Sequence, residues 1–229
     1  MAIFGKIDYI NLLPLHVFLK SSSMPNSIKS SINYKKGVPS KINKELTFNR
    51  INCAVISSIQ SFKPKYQTLN MGICAYKKVR SVLVKKNDNN LILDPASATS
   101  NALAKLLNTK GEVIIGDKAL KAWLDNNDNN LAKNSDIFID LCSLWYDRTH
   151  LPFVFARFSF IKKNIFFNNL IKNFIKKKLF IPNYILKEYA NSRHINPQKL
   201  KEYLTLIYYE ISHKEKLALK KFKKNLKNI

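Results

Sequence analysis

Apolar and polar positions along this chain alternate over short stretches or gather into brief apolar runs, with helix-like segments between them. Ile3 to Tyr9 alternates like a short strand, and the turn through Asn11 and Pro14 leads into a helix carrying Leu15, Val17, Phe18 and Leu19. A Ser-rich link, SSSMPNS, follows. Next, SINYKKG reads as a strand, and GVPSKINKELTFN reads as a helix start with Ser40 placed to cap it. CAVISSI is a short buried strand, and SVLVKK, just after Arg80, is another. Around residue 90 the pattern restarts. LILD predicts a strand, PASATS a tight polar turn, NALAKLL a helix, EVIIGD a strand and turn, KALKAWL a helix and DIFIDL a strand, with NDNN and DNNDNN as polar loops.

Strands alternating with helices predict an α/β fold of parallel sheets covered by helices, in two lobes. The expected division puts residues 1–80 plus about 164–229 in lobe 1 and about 81–163 in lobe 2, with a ligand cleft between them. Beyond the apolar run LPFVFARFSFI, from about Asn164, the chain reads as a helical tail. Leu204, Tyr208, Ile211, Leu219, Phe222, Leu226 and Ile229 form its apolar stripe. That stripe predicts a C-terminal helix docked on a lobe with its lysines in water.

Composition sharpens this picture. Of 229 residues, 46% are apolar and 11% aromatic, enough for a real core and against intrinsic disorder. No window approaches about eighteen uninterrupted apolar residues, so no membrane-spanning helix is expected. The formal charge of +24 points first to nucleic acid. However, only five of the 39 basic residues are Arg (Arg50, Arg80, Arg148, Arg157, Arg193), the type that reads bases and grips phosphates in a bidentate manner. The charge is therefore read as solvated Lys that attracts anions, with no nucleic-acid partner. The N-terminal MAIFGKIDYINLLPLHVFL lacks the features of a secretory signal. Cys53, Cys74 and Cys142 sit in apolar runs as reduced core residues, which predicts a cytoplasmic protein.

Much chemistry has no local support. With five glycines there is no GxGxxG and no P-loop, the four histidines (His16, His150, His194, His213) lack metal-ligand spacing, and no serine sits in a GxSxG elbow. Neither a cofactor nor a metal is expected. What remains are polar turns at strand ends, where α/β folds hold ligands. The turn from Pro95 to Ser100 offers hydroxyls and helix-start N–H groups to a carboxylate or phosphate, and equally Ser97 or Thr99 as a plain helix cap. Asn11 could hold a ligand or brace its turn.

These turns carry a family resemblance. Gly5-Lys-Ile7-Asp-Tyr9-Ile-Asn11-Leu-Leu-Pro14-Leu15 resembles the start of chorismate dehydratases, the first enzymes of the futalosine route to menaquinone. The similarity continues through Gly37-Val-Pro39-Ser40 with Asn43 and Leu46, Ala54-Val-Ile-Ser57-Ser58, Ser81-Val-Leu and Pro95-Ala-Ser97-Ala-Thr99-Ser100. It extends to Ile115-Gly116-Asp117, Asp140-Leu141 with Trp145, and Thr149 followed by Leu151-Pro152-Phe153-Val154-Phe155-Ala156. Asn52 and Gln60 depart from it, standing where the family usually has acids.

The resemblance implies a fold like the type II periplasmic binding proteins, a dianionic small-molecule substrate and loss of water from chorismate to give 3-[(1-carboxyvinyl)oxy]benzoate. For such a substrate, Ser57, Ser58, Ser97, Thr99 and Ser100 are expected to bind the carboxylates, while Asn11 and Ser81 orient the substrate and stabilise developing charge or the leaving hydroxyl. The proton acceptor is then the substrate's own carboxylate, with His150 as its rival. The sister 1,4-dihydroxy-6-naphthoate synthase, and a non-catalytic binder of small organic anions, are the alternatives.

Overall fold

The computed structural model describes residues 3–87, 89–128, 133–162, 165–177 and 180–228. Its strands, in chain order, are β1 (Phe4–Ile7), β2 (Lys36–Gly37), β3 (Cys53–Ser57), β4 (Gln67–Ala75), β5 (Val82–Lys85), β6 (Leu91–Ile92), β7 (Gly111–Ile115), β8 (Phe138–Asp140), β9 (Phe153–Phe160) and β10 (Ile207–Glu210). They form a six-stranded sheet ordered β10-β4-β9-β3-β1-β2 and a four-stranded sheet ordered β6-β7-β5-β8. The sheets are mixed rather than parallel as expected. β1 runs parallel to β2 and β3, and β6 to β7, whereas β9, β4, β10, β5 and β8 pair antiparallel. The reason is the route of the chain: it leaves the large sheet along β4, builds the small sheet, and returns along β9 beside β4 in the opposite sense.

This route puts β9 in the large sheet, ahead of the boundary expected near residue 163. The apolar run after Leu151 is β9, inside the large sheet between β3 and β4, and nearly all of it is buried. A strand covered on both faces shows continuous rather than alternating hydrophobicity. The small sheet therefore lies within Val82–Asp140.

Local readings also change. SINYKKG is the end of helix Asn26–Tyr34 followed by β2. Ile28 and Ile32, four apart, face the core, and Ser31 donates to the Ile28 carbonyl while accepting from Phe4 N–H. In helix Pro39–Thr47 the capping position belongs to Val38, and Ser40 falls inside the first turn, where Pro39 supplies the start. Asp125 to Asp128 of DNNDNN continue helix Gly116–Asp128, whereas Asn129 and Asn130, like Asp88 of NDNN, lie outside the described residues.

The tail is not one stripe. Asn164 and Ile229, its two ends, lie outside the described residues. Between them come helices Ile165–Lys176, Asn183–Asn191 and Pro197–Leu204, then β10, then helix His213–Asn225. Leu204 closes one helix and Tyr208 lies on β10. The last helix does dock as expected. A capping box of Ser212 and Glu215 starts it, and the Phe222 ring packs 5.0 Å from Phe153 and 6.1 Å from Trp145. Burying such a ring contributes roughly 2 kcal/mol. Lys214, Lys216, Lys220, Lys221, Lys223 and Lys224 all face water. Cys53, Cys74 and Cys142 are buried and free, their thiols pushed up by desolvation. Among the described residues no helix is long and apolar enough to cross a membrane.

Candidate active site

Where the ends of β1, β3 and β9 face those of β5 and β7, the two sheets enclose a cavity of about 60 Å³. Its polar lining is Tyr9, Asn11, Ser57, Ser81, Ser97 and Ser100, set among apolar groups such as Val79, Ile115 and Phe155. Five of the seven expected binding or catalytic residues thus come together: Asn11, Ser57, Ser81, Ser97 and Ser100.

Each is held by its own device. Asn11 lies in the 3-10 turn Ile10–Leu12, where Ile10 N–H donates to Asp117 Oδ1 at 2.9 Å and the Tyr209 hydroxyl donates to the Asn11 carbonyl at 2.7 Å. Ser57 ends β3 and is gripped by Asn43, which accepts from Ser57 N–H at 3.3 Å and donates to Ser57 Oγ at 3.1 Å. Ser81 follows the crossover out of β4, and Asp140 shapes that crossover. Asp140 Oδ2 accepts from Val79 and Arg80 N–H, and its Oδ1 caps helix Leu141–Thr149 through Cys142 and Ser143 N–H. Burial pushes the Asp140 carboxyl up, and these four N–H groups oppose the shift. Ser97 caps helix Ala98–Leu106, accepting from Ser100 N–H at 3.2 Å, with the two hydroxyls 2.7 Å apart.

The other two expected residues are turned away. Ser58 Oγ donates to the Val154 carbonyl at 2.5 Å, and Thr99 Oγ1 accepts from Ile59 N–H at 3.2 Å, so both fasten one segment to another rather than lining the cavity. His150, the rival base, is exposed in a left-handed conformation at the end of helix Leu141–Thr149 and does not line the cavity. His16, by contrast, is buried, but away from the cavity. Desolvation first, then Lys6, lowers its pKa to about 3, so it stays neutral. Asn52 and Gln60 are structural: Asn52 Oδ1 accepts from Ile3 N–H at 2.6 Å, and Gln60 Nε2 donates to Thr47 Oγ1 at 2.9 Å.

Three groups escaped the sequence reading. Tyr9 closes one wall. Its ring lies against Gly116, where a Cβ would come within 2.8 Å of it and where φ is +67°, so only glycine fits without strain. Burial, then Asp94 and Asp117, push the Tyr9 hydroxyl up to about 12. Arg193 ties the sheets together, its Nε donating to Asp117 Oδ2 at 2.7 Å and its Nη2 to the Asp8 carbonyl at 3.3 Å. Tyr203, fully buried, donates to Ser81 Oγ at 2.8 Å. The aromatic next to the Asn11 turn was a usable signal for Tyr9; nothing local marks Tyr203 or Arg193.

Electrostatically the lining is unusual for a basic chain. No Lys, Arg, His, Asp or Glu is among the described lining residues, and Tyr9, the one group there able to titrate, does so far above neutrality. An anion would be held by hydroxyls, backbone N–H groups and the positive ends of helices Ala98–Leu106 and Gly116–Asp128.

The family model described as menaquinone biosynthesis matches residues 3–228. The chain belongs to this family. A Campylobacter jejuni member, a chorismate dehydratase, is 54% identical over 226 residues, covering 98% of this chain and 97% of the relative. A Thermus thermophilus chorismate dehydratase is 25% identical over 264 aligned positions, covering 96% and 93%. Solved structures add the fold. An Archaeoglobus fulgidus protein superposes with a TM-score of 0.66 at 14% identity, covering 98% of this chain and 96% of that one. The periplasmic aliphatic sulphonate binding protein of Escherichia coli gives 0.52 at 9% identity, covering 99% and 85%. This member of the menaquinone-biosynthesis family therefore has a periplasmic-binding-protein-like α/β fold with a mainly helical C-terminal segment.

Proposed function

We propose that the chain is a chorismate dehydratase, a hydro-lyase that removes water from chorismate to give 3-[(1-carboxyvinyl)oxy]benzoate. The observation that carries this reading is the cavity of uncharged hydroxyl and amide groups in a chain 54% identical, nearly end to end, to a chorismate dehydratase. In this reading the two sheets are lobes, about 3–75 with 153–228 and about 82–140, and the cavity is the cleft between them. At about 60 Å³ it is far below the roughly 300–1,000 Å³ usual for small-molecule pockets, so in this reading the lobes part to admit substrate. The free, buried thiols fit a cytoplasmic enzyme.

Ser97 and Ser100, at a helix start, hold one carboxylate, and Ser57 faces them from the opposite wall. Asn11 and Ser81 hold the ring hydroxyl. A ring C–H neighbouring the departing C–O bond loses its proton to the substrate's own enolpyruvyl carboxylate, the C–H electron pair forms the new ring double bond, and hydroxide leaves to take up that proton as water. Aromatisation makes the step downhill, so positioning and preorganised dipoles suffice as catalyst.

Purified protein mixed with chorismate, with no metal or nucleotide added, should yield a product lighter by one water in mass spectrometry. Unchanged chorismate overturns the reading, and chorismate that binds without being consumed leaves a binder of small anions instead.

A further inference from the structure

Asn11 Oδ1 is buried beside the cavity with no hydrogen-bond partner among the described residues. A buried amide oxygen left unpaired is costly unless a ligand completes it. Ser81, which lines the same cavity, is held by Tyr203, near the end of helix Pro197–Leu204, whose start Asn196 caps. The Tyr203 hydroxyl donates its one proton to Ser81 Oγ at 2.8 Å. Burial pushes Tyr203 ionisation far up, so this hydroxyl keeps its proton.

Two complementary groups are left at the cavity. Asn11 keeps Oδ1 as an unpaired acceptor. Ser81, with one Oγ lone pair engaged by Tyr203, keeps its own O–H as a donor. A hydroxyl that leaves as water needs both: an acceptor to orient its proton and a donor to its oxygen as the C–O bond breaks.

We propose that Tyr203 is a positioning residue that holds Ser81 as a donor beside the unpaired Asn11 acceptor, so that the pair grips the departing ring hydroxyl. The inference rests on the chorismate dehydratase reading. It gives the C-terminal segment a part in the reaction although Tyr203 does not line the cavity.

Tyr203→Phe keeps the ring and its packing and removes the hydroxyl. With folding checked by urea unfolding, it should lower kcat by about tenfold or more while KM stays within about twofold, because the lost order matters in the transition state rather than in binding. In a Ser81→Ala background the same change should add less than about a further twofold, since the two act as a unit. Ser81→Ala alone, which leaves the Tyr203 ring in place, should show the same split of kcat from KM and supplies the comparison should Tyr203→Phe not fold. An active wild type with unaltered kcat in Tyr203→Phe or in Ser81→Ala overturns this inference while leaving the dehydratase reading intact, as do fully additive losses in the double variant. A wild type that leaves chorismate unchanged overturns both.

Discussion

The polar turns that line the cavity and the C-terminal segment from Ile165 onward contribute to the same site in opposite ways. The turns place Asn11, Ser57, Ser81, Ser97 and Ser100 at its wall, and each carries its chemistry within a short string ending a strand or opening a helix. The C-terminal segment supplies, among the described residues, no lining group. It sends Tyr203 to Ser81, Tyr209 to the Asn11 carbonyl and Arg193 to Asp117, contacts spanning 122, 198 and 76 positions. One region holds the groups that line the cavity, and the other holds those groups still.

If that division is right, damage to the two regions should differ in kind. The largest effect is expected at Asn11→Ala. Turnover should fall by roughly 100-fold, the scale of losing one preorganised polar group, while substrate affinity changes only a few-fold. Equal small losses in kcat and affinity, measured by steady-state kinetics and calorimetry, would remove Asn11 from the chemistry. Next comes Arg193→Ala, which leaves Asp117 partly buried with one partner fewer. Stability should drop by about 1–3 kcal/mol in urea unfolding. An unchanged unfolding midpoint would mean the clasp between the sheets does not hold them.

The smallest effect separates two neighbours. Ser57→Ala should raise KM several-fold. Ser58→Ala, which breaks the hydrogen bond to Val154, should cost about 1 kcal/mol of stability and leave kinetics alone. Reversed results would mean the wrong serine has been given to the cavity.

The same contrast explains what could be read in the sequence. β1, β3, β5 and β7 were legible because burial on the sheet writes itself into a few consecutive residues. β4 was missed because its first half, Gln67 to Asn70, is largely exposed and polar, with burial starting only at Met71. The residues from Ser31 to Gly37 were misread because S-I-N-Y imitates a strand's alternation, whereas the helical pair Ile28 and Ile32 was the stronger signal. Ser58 and Thr99 share strings with true lining residues, and only the fold decides which hydroxyl turns inward. Tyr203 reads as an ordinary core aromatic in KEYL, because its partner exists only once the chain has folded.

The charge belongs to this contrast as well. A formal +24 surrounds a cavity whose described lining is uncharged, so the surface can draw an anion in while the wall neither takes nor gives a proton near neutrality.

The most direct test is therefore the pH dependence of chorismate turnover. His16 is held neutral by a pKa near 3, Tyr9 titrates near 12, and His150 stands outside the cavity. With the substrate's own carboxylate as base, kcat/KM should stay level between about pH 6 and 9. A break near the ordinary His value of about 6.5 that disappears in His150→Gln, or no turnover at any pH, would contradict the account.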